Sequence, residues 1–103
     1  MGYYQKAIKY HEKHLKISLE IGGRLGEGRA YGSLGNTYNS LGDYQLSIQY
    51  YEKRVKNAME IGAGVRGAYF NLANAYLSIG NYQKAFEYHE KHLKIAHKEK
   101  DSC

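Results

Sequence analysis

The chain has 103 residues, twelve Tyr, no Pro or Trp, one Cys and a net charge of +5. One small domain is the most this length supports. No stretch approaches the roughly 20 apolar residues of a membrane span, and Lys, His and Glu run through residues 1–20, so no signal peptide is visible.

Apolar residues recur at helical spacing from the start. Tyr4, Ala7, Ile8, His11, Leu15 and Leu19 predict a first helix over about 3–20. Ile21-Gly22 ends it, and a second helix follows over 25–41. Gly42-Asp43 is a stop and a start: Gly suits the left-handed end of one helix and Asp the N-cap of the next. Ile48, Tyr51, Val55 and Met59 mark a third helix over 44–61, closed by Ile61-Gly62. A fourth covers 65–79. Gly80-Asn81 repeats the punctuation before a fifth over 82–99, with Phe86, His89, Leu93 and Ala96 in register. Strand-like alternation is absent.

The chain also repeats itself. Residues 2–18 lie over 42–58 and over 80–96, at offsets of 40 and 38. A second unit, 29–42 over 67–80, alternates with the first. A fixed period of this size is the signature of a stacked repeat. Ile21 matches Ile61 at 40 but Leu34 matches Leu72 at 38, so two residues are lost between 61 and 68. The fourth helix is expected to start late. Short connections force neighbouring helices to run antiparallel. The fold class is therefore all-α, a short solenoid of antiparallel helix pairs.

Two motifs recur. The first is Tyr31-x2-Leu34-Gly35-x2-Tyr38, repeated as Tyr69-x2-Leu72-Ala73-x2-Tyr76. The second is Gly42-Asp43-Tyr44-x2-Ser47-Ile48, repeated as Gly80-Asn81-Tyr82-x2-Ala85-Phe86, with Tyr4-x2-Ala7-Ile8 as an extra copy. These resemble helix A and helix B of the tetratricopeptide repeat (TPR) family. The resemblance implies a right-handed α-solenoid in the order B-A-B-A-B and a single domain over 1–103: an orphan helix B (1–22), one repeat (23–62) and another (63–103). Gly28 to Asn36 and Tyr88 to Ile95, the latter echoed by Tyr10 to Ile17, are similar to the longer repeats of the LGN/Partner-of-Inscuteable subgroup. The period departs from the usual 34 residues, and the Pro that commonly ends a repeat is missing.

The resemblance implies a peptide-binding scaffold whose A helices line a concave face. Helical spacing then places Arg29, Gly32, Ser33, Asn36, Asn39 and Ser40 on one side of the second helix, and Arg66, Phe70, Asn71, Asn74 and Ser78 on one side of the fourth. The two helices are expected to lie side by side. Asn36 and Asn74 are equivalent, and a side-chain amide both donates to and accepts from a peptide backbone. Asn is a poor helix former, so its recurrence calls for a reason. Arg29 and Arg66 suit carboxylates, and Gly32 leaves room for a close backbone approach. The candidate peptide-binding groove is Arg29, Ser33, Asn36, Asn39, Arg66, Phe70, Asn71 and Asn74. Its partner is a protein or peptide, acidic by complementarity to the net charge.

The small residues Gly35 and Ala73, with Ala7, Ser47 and Ala85 opposite, are expected where helix A meets helix B. The tyrosines at 4, 10, 31, 38, 44, 50, 69, 76, 82 and 88 fall on framework positions and read as packing.

Sharper chemistries find little support. His11-x2-His14 and His89-x2-His92 each pair two imidazoles, but the spacing is one short of HExxH, and Arg54 holds the slot equivalent to His14 and His92. No metal and no cofactor is expected. The basic stripes Lys6, Lys9, Lys13, Lys16 and Lys84, Lys91, Lys94, Lys98, Lys100 are interleaved with Glu12, Glu20, Glu87, Glu90 and Glu99. That mixing is a solvated face rather than a nucleic-acid footprint. No catalytic constellation is present, so no enzyme is expected. Cys103 cannot form an internal disulfide, which favours a reducing, cytoplasmic setting.

The stack begins and ends on a B helix without a polar cap. This predicts marginal stability, or self-association through the uncapped apolar ends. The alternative to a peptide-binding module is a structural spacer, or a fragment of a longer array with no ligand of its own.

Overall fold

Glycine and a short polar residue set the helix boundaries as the punctuation predicts. Gly42 takes φ 88° and its N–H reaches back to the last carbonyls of the helix before it, a conformation that costs a residue without Cβ nothing. Asp43 then accepts a hydrogen bond from the Leu46 N–H at 3.3 Å. Gly80 and Asn81 repeat this, with φ 79° and a 3.2 Å bond from the Lys84 N–H.

The computed structural model has five helices: α1 Gly2–Ile21, α2 Arg24–Leu41, α3 Tyr44–Ile61, α4 Val65–Ser78 and α5 Tyr82–Asp101. It describes residues 2–101, with side chains as far as Ile95. Cys103 and the side chains of Ala96, Lys98, Glu99 and Lys100 lie outside the described residues. No strand occurs among the described residues. Helix α4 has 14 residues against 18 in α2. The connection at 62–64 is one residue longer than that at 22–23, so the shortening falls mainly on the first turn of the helix.

Close packing runs from each helix to the next in sequence: α1 on α2, α2 on α3, α3 on α4, α4 on α5. Each A helix is clasped by the B helices before and after it, and α3 holds the two A helices in relation to one another. The Cα envelope measures 43 × 34 × 16 Å, a thin slab one helix length across.

The core is largest around α4. Ile48, Val55 and Ala58 of α3 join Ala68, Tyr69, Leu72, Ala75 and Tyr76 of α4 and Ala85 of α5 in one buried cluster. Leu34 and Leu72, equivalent in the repeat, are fully buried.

The tyrosines form the same unit twice. Tyr38 stacks on Tyr50 with centroids 5.8 Å apart, and Tyr76 on Tyr88 at 5.7 Å, both pairs parallel to within 1°. Lys53 lies over Tyr50 at 5.2 Å, and Lys91 over Tyr88 at 5.0 Å, adding cation–π attraction. Two tyrosines assigned to the framework stand outside it: Tyr10 and Tyr82 are largely exposed. Tyr10 is the counterpart of Tyr50, but no described A helix supplies the two rings that Tyr50 packs against.

Candidate functional site

The seam between α2 and α3 explains one face of α2. Gly28, Gly32 and Gly35 stand against Asn57, Arg54 and Tyr51 in turn. A Cβ on Gly35 would meet the Tyr51 ring at 2.6 Å, and one on Gly32 would meet the Arg54 guanidinium at 2.5 Å. The polar ends of the α3 side chains bind α2 backbone. Arg54 Nη1 donates to the Gly28 carbonyl at 2.8 Å, Asn57 Nδ2 to that of Arg24 at 2.9 Å, and Ser47 Oγ to that of Gly35 at 2.8 Å. Gly32 is therefore buried in the helix–helix contact. The open space read for it in the groove is taken by Arg54, which the sequence pattern had given no role.

A neighbouring side of α2, about a quarter turn round the helix from these glycines, is left to solvent. Leu25, Arg29, Asn36 and Ser40 are exposed and Ser33 is half-buried among them. On α4, Arg66, Phe70, Asn74 and Ser78 are exposed and Asn71 is half-buried. Positions 33 and 71, 36 and 74, and 40 and 78 are equivalents, so the two stripes match at these three places, whereas Arg66 and Phe70 stand where α2 has the buried Gly28 and Gly32. Asn39 is set apart. It is half-buried, and its Oδ1 is enclosed without a hydrogen-bond partner.

The equivalent asparagines are held differently. Asn36 Oδ1 accepts the Tyr51 hydroxyl proton. Asn74 faces a different neighbour set, because the Tyr51 position is His89 in α5; its side chain has no hydrogen-bond partner among the described residues, while its carbonyl accepts from Ser78 Oγ at 3.1 Å. Phe70 packs edge-on to His89 at 6.1 Å and against His92 at 5.4 Å. The histidines of α5 thus serve the α4 contact. His11 packs against Tyr10 at 5.5 Å, and burial, followed by the neighbouring His14, holds its pKa below the usual value. Among the described residues no three His, Cys, Asp or Glu side chains gather into a metal site.

Several hollows border these elements, two of them at the seams of α2 with α3 and of α3 with α4 and α5. Leu25, Gly28 and Arg29 form one wall of a hollow of about 240 Å³, closed by Arg54, Asn57 and the 61–64 connection. The other, about 480 Å³, lies on the far side, where Val55 and Met59 of α3 and Tyr88 of α5 flank Leu72 of α4. None of the eight groove residues lines it. Its acidic edge, Glu52 and Glu60, was not singled out in the sequence. The repeat equivalence of Glu12 with Glu52 and of Glu20 with Glu60 signals it. No helix among the described residues is long and apolar enough to cross a membrane.

The motif spacing, the antiparallel pairs and the twice-built tyrosine unit have a direct match. The description "Tetratricopeptide repeat" fits residues 1–60 and, separately, 67–99. The chain belongs to the tetratricopeptide repeat family. As a TPR chain it is part of a family of interaction scaffolds that bind protein partners. Its right-handed α-solenoid matches the TPR domain of Arabidopsis FLU with a TM-score of 0.85 and 21% identity, over 92% of this chain and 82% of that one. It also matches the apo form of RapI with a TM-score of 0.87 and 23% identity, over 96% of this chain and 36% of that one. By sequence, 38 residues are 47% identical to human G-protein-signaling modulator 1 and 45% identical to the mouse protein. The match takes in 37% of this chain and 6% of each relative's length.

Proposed function

We propose that the exposed stripes of α2 and α4 receive an extended segment of an acidic protein partner. The observation that carries this reading is the pairing of Asn36 with Asn74 at matched positions on two solvent-facing stripes. Asn71 and Ser33 add a second matched polar pair, and Phe70 offers an apolar anchor beside them. The Arg29 guanidinium is exposed and suits a carboxylate on the segment. The net charge of +5 favours encounter with such a partner. A lone Cys in 103 residues suits a reducing, cytoplasmic setting. The periods of 40 and 38 support a place among the longer repeats of the LGN/Partner-of-Inscuteable subgroup.

A second reading has its own observation. Asn36 already serves the fold by accepting from Tyr51. In that reading the stripe is idle and the repeats act as a structural spacer. The two separate cleanly on α4. Asn71→Ala with Asn74→Ala removes two amides that take no part in described side-chain hydrogen bonds. Affinity capture from cytosolic extract should lose its protein partners with this pair, while the helical circular dichroism signal and melting temperature hold. An unchanged set of captured partners would end the groove reading.

A further inference from the structure

We infer that the hollow enclosed by α2, α3 and the 61–64 connection is a binding site for a phosphate monoester, held by Arg29 and Arg54. This goes beyond the acidic-segment reading, shares only Arg29 with it, and stands without the amides of α4.

Unpaired positive charge supplies the argument. Two guanidinium groups line this hollow of about 240 Å³, and no carboxylate does. Arg29 makes no hydrogen bond or ion pair among the described residues. Glu27 and Glu60, the acids of the same two helices near this seam, are both taken by Arg24. Arg54 is half-buried. Its Nη1 is spent on the Gly28 carbonyl, and its Nε is enclosed with no hydrogen-bond partner. A half-buried charge without a counter-ion is costly, and an anion seated in the hollow supplies one.

The repeat shows that the framework does not require these charges. Position 54 corresponds to His14 forty residues earlier and to His92 thirty-eight later. Position 57 corresponds to Ile17 and Ile95, and position 29 to Gly67. The packing leucines and stacked tyrosines are written twice, whereas the polar lining of this hollow is written once. Its chemistry selects among anions. Two guanidinium forks on different helices match a dianion with three terminal oxygens, while the two oxygens and single charge of a carboxylate are met by one fork. On a third side Gly64 opens α4 with no side-chain cap for the N–H groups of its first turn. Leu25, Ala58, Ile61 and Ala63 make the remaining wall apolar, which suits the carbon arm of an ester better than a free inorganic ion.

The probe is phenyl phosphate, titrated into the isotopically labelled full chain at about 0.15 M salt, where exposed charges are largely screened. Saturable amide shifts are expected at Gly28, Arg29 and residues 61–64. Arg29→Gln, at an exposed position, should weaken binding by at least about tenfold with an unchanged circular dichroism spectrum. Arg54→Lys keeps the charge but loses the planar fork, and should weaken binding several-fold. Lys13→Gln removes the same charge from an exposed position on α1 and should change nothing. Benzoate should bind at least about tenfold more weakly than phenyl phosphate. Benzoate binding as tightly at the same residues would make this a plain carboxylate site and overturn the inference. So would the absence of saturation at millimolar phenyl phosphate, or an equal loss in Arg29→Gln and Lys13→Gln, which would reduce the effect to net charge. A blocked phosphoserine tripeptide separates the two sources of the same chemistry. Binding at least as tight as that of phenyl phosphate assigns the site to a phosphorylated segment of a partner, and weaker binding assigns it to a free small phosphate monoester. The Asn71→Ala/Asn74→Ala chain should bind phenyl phosphate normally, so the groove reading can fail without this one.

Discussion

Gly32 of α2 lies against Arg54 of α3 so closely that a Cβ would stand 2.5 Å from Nη1 and 3.2 Å from Cδ. Thirty-eight residues on, the same two slots hold Phe70 and His92, whose rings pack at 5.4 Å. Bulk has moved from the B helix to the A helix with the seam kept. Gly35 with Tyr51 and Ala73 with His89 follow the same exchange in the sequence.

Complementary bulk of this kind predicts coupling. Gly32→Phe alone should cost about 1–3 kcal/mol by overpacking against Arg54. Arg54→His alone loses the bond to the Gly28 carbonyl and leaves a gap. Together they recreate the Phe70–His92 pair, and the double variant should be more stable than the sum of the singles by about 1 kcal/mol or more. Urea unfolding of the four chains measures this. Strict additivity would show that the two seams are not interchangeable.

Two glycines in helix interiors should respond in opposite directions. Ala at Gly35 would put its methyl 2.6 Å from the Tyr51 ring. That ring is buried and its hydroxyl is tied to Asn36, so it has little room to swing. Gly35→Ala should destabilise by about 1–3 kcal/mol. Gly67, in the first turn of α4, has nothing within 4 Å of a built Cβ. Gly67→Ala should stabilise by about 0.5–1 kcal/mol through the lower backbone entropy of the unfolded chain. Thermal melts followed by circular dichroism should separate the two by several degrees, on opposite sides of the parent.

Asn57 tests the backbone anchors. It is buried, and its amide donates to the Arg24 carbonyl at the start of α2. Asn57→Ala should cost about 0.5–1.5 kcal/mol, since the part-buried hydrogen bond across the seam is lost. Hydrogen exchange should accelerate in the first turn of α2 before it does in α4, where Ile95 holds the equivalent place. Uniform acceleration along the chain would contradict a local role for the bond.

Helix order, helix boundaries and the tyrosine framework were legible because each is written two or three times at fixed spacing. The late start of α4 followed from a two-residue deletion. What escaped the sequence was direction around a helix axis. Gly32 and Ser33 are neighbours in the chain, yet one is buried under Arg54 and the other borders solvent. Periodicity assigned both to one face because α2 is enclosed on more than half its circumference, leaving a narrow stripe. Asn36 escaped for another reason. Its partner Tyr51 lies 15 residues away on the next helix, and the equivalent position in α5 is His89, so the repeat gave no second copy of the bond to recognise.

The stacked tyrosines make the fold sensitive to alkali. Burial is the main reason that the Tyr76 pKa rises to about 12, and the Glu52 carboxylate and the Tyr88 hydroxyl push the same way. Tyr31, Tyr38, Tyr50, Tyr51 and Tyr88 are shifted upward as well, each chiefly by burial. The unfolded chain releases these protons near the ordinary value of 10. Between about 10 and 12 the folded chain therefore holds more protons than the unfolded one, and stability must fall as pH rises through that window. Below 10 both states are protonated and the contribution is intact. Urea midpoints should be level from pH 8 to 9.5 and then decline steeply. In Tyr76→Phe the decline should be shallower, because the largest single shift is gone, whereas Tyr3→Phe, at an exposed ring, should follow the parent curve. A Tyr76→Phe chain that loses stability above pH 10 as steeply as the parent would show that the Glu52–Tyr76–Tyr88 contact does not carry the effect.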